Sequence, residues 1–353
     1  MPREVVILGP KKVGLREYQD EPIKSREIKV RTLFSGISHG TEMNIYRGTA
    51  PQFYKSISKM GLFQEGEPVS KYPIVYGYEE VGIVTEVAND VQDYKIGDVV
   101  ASCYTHKEIA NINVDVRAPY LNIIPKGMNP EHGIFLGLGT VALDALITSN
   151  VRLSESIVIF GQGVVGLLLL QLCKLAGASP IITVDMLEKR LSMSKSMGAD
   201  YTLNPQTCDV ASEVREILGS GCDVVFETSG NIKALHESIR CGAPRYSKVI
   251  AVAWYQGPAQ NLYLGEEFHH GLGASQIVSA GPGIHARLPS SPGRQWDETR
   301  VAKTFFKFLT EGKVKVEGLI SHRFNFEEAE KAYEIIDRRS EDVIKVILTF
   351  SRS

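Results

Sequence analysis

The spacing of apolar residues changes once along the chain, and the change divides it. Over about the first 120 residues, short apolar and β-branched runs (Glu4 to Leu8, Glu27 to Phe34, Gly82 to Val87, Asp98 to Ser102) are separated by Gly, Pro and Asp. That pattern predicts an irregular β-rich domain rather than repeated βαβ units. From Ser154 strand-like runs alternate with helical spacing. Ile157 to Phe160, Ile181 to Val184, Asp200 to Leu203, Asp223 to Glu227 and Val249 to Ala253 read as strands. Val164 to Ala176, Lys189 to Met197 and Ile232 to Arg240 read as helices between them. The alternation predicts an α/β, doubly wound parallel sheet. Ser279 to Arg294, rich in Gly, Pro and Ser, predicts a loop or hinge. Beyond it Thr299 to Thr310 and Phe326 to Ile336 have helical spacing, and Val343 to Phe350 reads as a strand. There is no internal repeat.

The run SIVIFGQGVVGLLLLQLCKLAGASPIITVD, residues 156–185, carries the most specific chemistry. Gly161, Gly163 and Gly166 fall between a predicted strand and a predicted helix, the context that gives a G-x-G-x-x-G pattern its meaning. Gly161 permits a tight turn, Gly163 lets backbone N–H groups, among them those of Val164 and Val165, approach a pyrophosphate, and Gly166 lets helix and strand pack. Asp185 ends the second strand, where a carboxylate accepts from an adenosine ribose 2′-OH and repels a 2′-phosphate. The expected cofactor is therefore NAD rather than NADP.

At 353 residues the chain is long enough for two domains. A formal charge of −2, with no Lys/Arg run, argues against a nucleic-acid partner. The N-terminus shows no basic region followed by an apolar one, and Val164 to Cys173 is too short to span a bilayer, so the expectation is a cytoplasmic protein with no membrane partner. The five cysteines form no C-x-x-C pair and no even framework, which argues against disulfides and a structural zinc lobe.

With YGYEEVGIVTEV and KIGDVV in the β-rich part, the nucleotide fold at mid-chain, and LISHRFNFEEAEKAYEIIDRR followed by VILTF at the end, the chain resembles the medium-chain dehydrogenase/reductase superfamily over nearly its full length. The resemblance implies a GroES-like catalytic domain (residues 1–138), a Rossmann domain (139–298) and a C-terminal return to the catalytic domain (299–353). It also implies a homodimer or homotetramer built near Ala274 to Ser279, a small-molecule substrate, and Thr140 against the nicotinamide ring. Arg190 and Thr228 complete the expected cofactor contacts.

Relatives of this kind hold catalytic zinc with a Cys in G-I-C, a His in G-H-E and a third ligand before the cofactor domain. The matching positions here are Ser38, Tyr78 and Leu138. No metal is therefore expected, and S-G-I-S-x-G-T-E with G-Y-E is similar to a zinc-free branch that includes bacteriochlorophyllide a dehydrogenases. A rearranged zinc site would have to draw on His39, Glu42, Glu79 and His106. Without zinc, polarising the reacting oxygen falls to hydrogen-bond donors and a protonatable group. Tyr78 is the first candidate donor, Thr41 matches a hydroxyl relay, and Glu79 either orients or deprotonates neighbours or is a buried acid paired with an arginine. Thr41 alternatively caps a helix beginning at Glu42, and Asn44 replaces a relay His. His269 and His270 follow the WYQG turn and are candidates for acid/base work. Tyr46, Phe53, Tyr54, Phe63 and Tyr72 form an aromatic stretch that either covers or lines a pocket or packs on the β domain. The expected activity is zinc-independent hydride transfer between NAD and a secondary alcohol or ketone, sugar- or cyclitol-like. The alternatives are an NAD(P)H-dependent C=C reductase and a non-catalytic NAD(H)-binding protein.

Overall fold

The computed structural model describes residues 1–281, 296–338 and 341–351. It comprises two compact units, residues 1–137 with 317–353 and residues 138–316. In the first, strands β1 (Arg3–Gly9) and β2 (Lys12–Glu17) form a hairpin. Strand β3 (Glu27–Ile37) leads through helix α1 (Thr41–Arg47) and a short pair, β4 (Ser56–Ile57) with β5 (Phe63–Gln64). Then come β6 (Glu80–Val87), β7 (Val99–Ser102), β8 (Ile109–Asn113) and β9 (Asn122–Ile123).

Helix α2 (Leu136–Ser149) begins at the end of the first unit and continues into the second, whose strands are β10 (Ile157–Phe160), β11 (Ile181–Val184), β12 (Tyr201–Leu203), β13 (Val224–Glu227), β14 (Lys248–Ala251) and β15 (Gln276–Ser279). Helices α3 (Val164–Leu175), α4 (Glu188–Ser196), α5 (Val210–Leu218), α6 (Ile232–Cys241) and α7 (Glu298–Thr310) accompany them. Strand β16 (Ile320–Asn325), helix α8 (Ala329–Asp337) and strand β17 (Lys345–Thr349) complete the first unit.

The first unit's main sheet runs β16, β17, β3, β6, β7, β9, with β8 also paired to β3. Its pairings are antiparallel except β16 with β17. Alternation along β3 sends Ile28 and Val30 to one core with Val84, Val100 and Ile112. A second core gathers Ile37, Met43, Tyr46, Phe326, Tyr333 and Leu348. The return segment thus supplies both a sheet edge and part of the core.

The second unit's sheet is wholly parallel, in the order β12, β11, β10, β13, β14, β15. Its central strands read IVIF, IITV and VVFE and are buried throughout, as strands covered by helices on both faces require. Helix α7 belongs to this unit, so the return begins at Glu317 and not at the expected residue 299. The reason is its apolar face: Val301, Ala302, Phe305 and Leu309 are buried, and the Phe305 ring fills the space where a side chain on Gly139 would lie. Of the hinge expected over Ser279 to Arg294, the part beyond Gly281 lies outside the described residues. The helical stretch Pro130–Ser149 is long and apolar enough to cross a membrane, and 67% of it is buried inside the protein.

Candidate functional site

In the first unit the two polar residues at zinc-ligand positions meet. The Tyr78 hydroxyl donates to Ser38 Oγ at 2.5 Å. Burial raises the Tyr78 pKa well above the ordinary phenol value, and the nearby Glu79 carboxylate adds to the rise. The phenol is therefore a protonated hydrogen-bond donor at neutral pH and not a phenolate. Ser38 follows the end of β3 and is fixed through its backbone, whose N–H donates to Glu42 Oε2 at 2.9 Å from the first turn of α1. Gly40 is the N-cap of that helix and makes no side-chain cap bond, so Thr41 is its first helical residue and not the cap that its sequence position allowed.

Behind the pair lies a buried ionic network. His106 Nε2 lies 2.7 Å from Glu42 Oε1, while its Nδ1 meets Ser35 Oγ and lies 3.4 Å from Glu80 Oε1; all three ionisable side chains are fully buried. Ser35 Oγ in turn donates to Glu80 Oε1 at 3.0 Å, and the Tyr104 N–H donates to Glu80 Oε2 at 2.8 Å. The Tyr333 hydroxyl donates to Glu42. Burial opposes a charged imidazole, but Glu42 and then Glu80 outweigh it and push the His106 pKa to about 10. Burial would also raise Glu42; His106, Tyr333 and the Ser38 N–H reverse this and hold it below the ordinary carboxylate value. For Glu80 burial wins, and its pKa is raised. The network has no room for a side chain at Gly77, whose φ is +131° and whose Cβ would lie 2.8 Å from His106 N and 2.9 Å from Glu80 Oε1.

Glu79 is a buried paired acid, but its partner is Lys345 and not an arginine. The fully buried Lys345 ammonium donates to Glu79 Oε2 and, at 2.8 Å, to the Ile37 carbonyl. Glu79 Oε1 is buried and has no hydrogen-bond partner. Burial, opposed by Lys345, pushes the Glu79 pKa up to about 7.

This donor set does not fit a catalytic zinc. Such a site uses thiolate, imidazole or carboxylate ligands, whereas Tyr78 is a protonated phenol bonded to a serine hydroxyl and Leu138 has no donor atom. The rearranged set fits no better. Glu42 is committed to the His106 imidazolium and Glu79 to the Lys345 ammonium, so the positive charge comes from side chains.

In the second unit the glycine turn is built as the motif requires. Gly161 has φ +88°, and a Cβ on Gly166 would lie 1.9 Å from the Gly161 carbonyl oxygen. A Cβ on Gly163 would meet nothing within 4 Å, and α3 begins after Gly163 with no side-chain cap, leaving the approach to the Val164 and Val165 N–H groups open. Asp185 accepts from Gln162 N at 2.7 Å and Leu187 N at 3.0 Å, and Arg190 Nη1 is 3.9 Å away. The Thr228 hydroxyl is turned onto the Phe160 and Gly161 carbonyls at 2.9 and 2.8 Å, so it braces the turn. Thr140 is fully buried. The residues present fit a dinucleotide: an open helix start, glycines where backbone must approach, and an acid at the end of β11.

His269 and His270 stand on an exposed turn, their rings edge to face at 5.2 Å. Of the aromatic stretch, Tyr46 is in the core against Tyr333, Tyr72 donates to the Ile45 carbonyl and Phe53 stacks on Tyr72, while Tyr54 and Phe63 are exposed. Packing accounts for the first three. Sequence reasoning missed Ser35, Glu80, Tyr104, Tyr333 and Lys345, and it named His106 only as a possible metal ligand.

Residues 24–141 match the alcohol dehydrogenase GroES-like domain, and residues 164–274 match the zinc-binding dehydrogenase domain. The chain belongs to the medium-chain dehydrogenase/reductase superfamily. It is 29% identical to D-guloside 3-dehydrogenase of Escherichia coli K12 over 359 residues, covering 99% of this chain and 100% of that one. It is 27% identical to (R,R)-butanediol dehydrogenase of Bacillus subtilis over 70% of this chain and 76% of that protein. Galactitol-1-phosphate dehydrogenase of Escherichia coli shares the fold, with a TM-score of 0.76 at 21% identity, covering 98% of this chain and 99% of that one.

Proposed function

We propose that this superfamily member is an NAD-dependent oxidoreductase that works without zinc on a secondary alcohol or ketone of a polyhydroxylated, sugar- or cyclitol-like compound. The observation that carries the reading is the Tyr78 to Ser38 hydrogen bond at the positions where relatives bind metal. Similarity to a D-guloside 3-dehydrogenase along the whole chain supports the substrate class. The zinc-free branch read from S-G-I-S-x-G-T-E and G-Y-E is part of this proposal and says nothing about substrate.

NAD, when bound, accepts or donates the hydride. The turn at Gly161 to Gly166, the N–H groups of Val164 and Val165 and the Asp185 carboxylate hold it. Ser38 Oγ accepts from the Tyr78 phenol, so its own O–H is free to donate to the reacting oxygen, and the neutral phenol supports the negative charge developing there through that bond. A phenol whose pKa is raised accepts a proton poorly, so we assign proton uptake during alcohol oxidation to Glu79, whose unpartnered Oε1 and pKa of about 7 suit a group that exchanges protons near neutrality. The exposed His269 and His270 are not needed for this chemistry.

The test is NAD-linked turnover of methyl D-gulosides and inositols in the presence of a chelator, with Tyr78→Phe as the variant. Loss of one oriented donor is expected to lower kcat by about a hundredfold while the NADH Kd stays unchanged. About one zinc per chain, removed together with activity, would overturn the metal-free reading, and NADH binding without turnover of any alcohol or ketone would leave a sensor.

A further inference from the structure

Strands β10, β13 and β14 end side by side, since Phe160 is in register with Glu227 and Glu227 with Ala251. Three loops therefore leave the carboxyl edge of the sheet together: the glycine turn from Gly161, the segment Thr228 to Gly230, and the segment Val252 to Gln256. In a sheet of this order ligands lie outside the carboxyl ends, at the point where the strand order reverses. That point lies between β10 and β13. Asp185 ends β11 and so marks the adenosine half, which puts the β13 and β14 loops under the reacting half.

These loops are fixed to one another. The Glu227 carboxylate accepts from the Ser229 and Gly230 N–H groups at 2.8 and 3.1 Å and from the Tyr255 hydroxyl at 2.5 Å. Gly230, with φ +71°, leaves room for Ala253 and Trp254, whose nearest atoms would lie 3.4 Å from a Cβ there. Tyr255 is thereby held down, and its neighbours are Trp254, 36% exposed, and Gln256. Both polar atoms of the Gln256 side chain, Nε2 and Oε1, are buried without a hydrogen-bond partner. Among the described residues this is the one side chain with two such atoms. Buried polar groups are almost always paired, and an amide that offers a desolvated donor and a desolvated acceptor together is shaped for a partner that can do the same.

We propose that Gln256, with Trp254 two residues before it on the same loop, is a subsite for a vicinal diol of the substrate. One hydroxyl donates to Oε1 while its neighbour accepts from Nε2, and the aromatic face covers the C–H side of the ring that carries them. This rests on the oxidoreductase reading above and specifies which substrates that activity selects. A nicotinamide carboxamide offers the same donor and acceptor pair, and the experiment separates the two.

Wild type, Gln256→Leu and Gln256→Glu are compared by titrating NADH into each protein, titrating methyl D-guloside and its 3-deoxy analogue into each NADH complex, and measuring turnover of cyclohexane-1,2-diol against cyclohexanol with NAD. The expected result is an unchanged NADH Kd, a ten- to hundredfold weaker affinity for the glycoside in Gln256→Leu, a smaller loss in Gln256→Glu, and kcat/KM lost for the diol but not for cyclohexanol. The Tm of the free Gln256→Leu protein should rise or hold, because an orphaned buried amide has been replaced by an apolar group of similar size. Weaker NADH binding would give the amide to the cofactor and overturn the proposal. Equal losses for diol and monool, no loss at all, or no glycoside binding by wild type would also overturn it. Glycoside binding that depends on Gln256 in a wild type without turnover would refute the oxidoreductase reading and leave the subsite standing.

Discussion

Replacing His106 by Gln tests whether the buried network is held by charge. The wild-type ring lies between Glu42, at 2.7 Å, and Glu80, at 3.4 Å, with all three side chains fully buried. Glutamine preserves hydrogen bonding towards Glu42 but removes the cation. Each carboxylate keeps part of its shell, Glu42 the Ser38 N–H and the Tyr333 hydroxyl, and Glu80 the Tyr104 N–H and Ser35. The remaining loss is that of one buried cation serving two buried anions, for which breaking a buried pair costs about 3 to 5 kcal/mol. We expect about 3 kcal/mol at pH 7, because the retained donors absorb part of the penalty.

The pH dependence gives this substitution a signature that lost packing would not produce. In the wild type His106 has a folded pKa of about 10, above its unfolded value, so between about pH 6.5 and 10 the folded state binds more protons than the unfolded. The stabilisation from His106 is fully present below about pH 6.5 and is lost as pH rises through about 10. In the His106→Gln protein an uncompensated carboxylate has a raised folded pKa, so its penalty is absent at low pH and grows as pH rises above about 4.5. The stability gap between the two proteins should therefore peak near neutrality and narrow towards both about pH 5 and about pH 10. Urea unfolding followed by circular dichroism across that range measures it. A gap below about 1 kcal/mol, or one flat in pH, would refute a charge-held network.

Two further predictions concern the nucleotide turn. Gly166→Ala would place a methyl 1.9 Å from the Gly161 carbonyl oxygen, a backbone atom, so NADH affinity should fall at least about tenfold and stability by about 3 kcal/mol; native-like NADH binding in a calorimetric titration would refute the turn assignment. Asp185→Ser removes the carboxylate that we assign to the ribose and releases Arg190 from its 3.9 Å ion pair, so the NADPH to NADH affinity ratio should rise by about a hundredfold, and an unchanged ratio in fluorescence titration would remove the basis for NAD preference.

How far the sequence discloses this molecule depends on the range of each interaction. The parallel sheet was legible because IVIF, IITV and VVFE carry their burial in their own composition, and the glycine turn because its residues contact one another within a few positions or across one neighbouring loop. Helix α7 was visible in its spacing, but the unit to which the resemblance assigned it is not the one it packs in. An amphipathic face shows that a helix is half buried but not against what, and the answer, a space left open by Gly139, lies about 160 residues upstream.

The candidate site sits at the far end of that scale. Tyr78 was visible as a substitution at a ligand position, yet its partner Ser38 arrives from another strand end, and the polar and charged groups behind them come from β3, α1, β6, the loop before β8, α8 and β17. No periodicity connects Ser35, Glu42, Glu80, His106, Tyr333 and Lys345; the sheet order does, by setting β17 and β6 on either side of β3. What holds the two hydroxyls here is thus a property of topology. Two buried cations from distant segments, His106 and Lys345, offset three buried carboxylates and hold two neutral hydroxyls in front of them. Neutral donors in a fixed, desolvated setting act on a developing oxyanion without needing to be charged themselves. The charge that this setting requires can then stand one layer back, where burial keeps it from solvent.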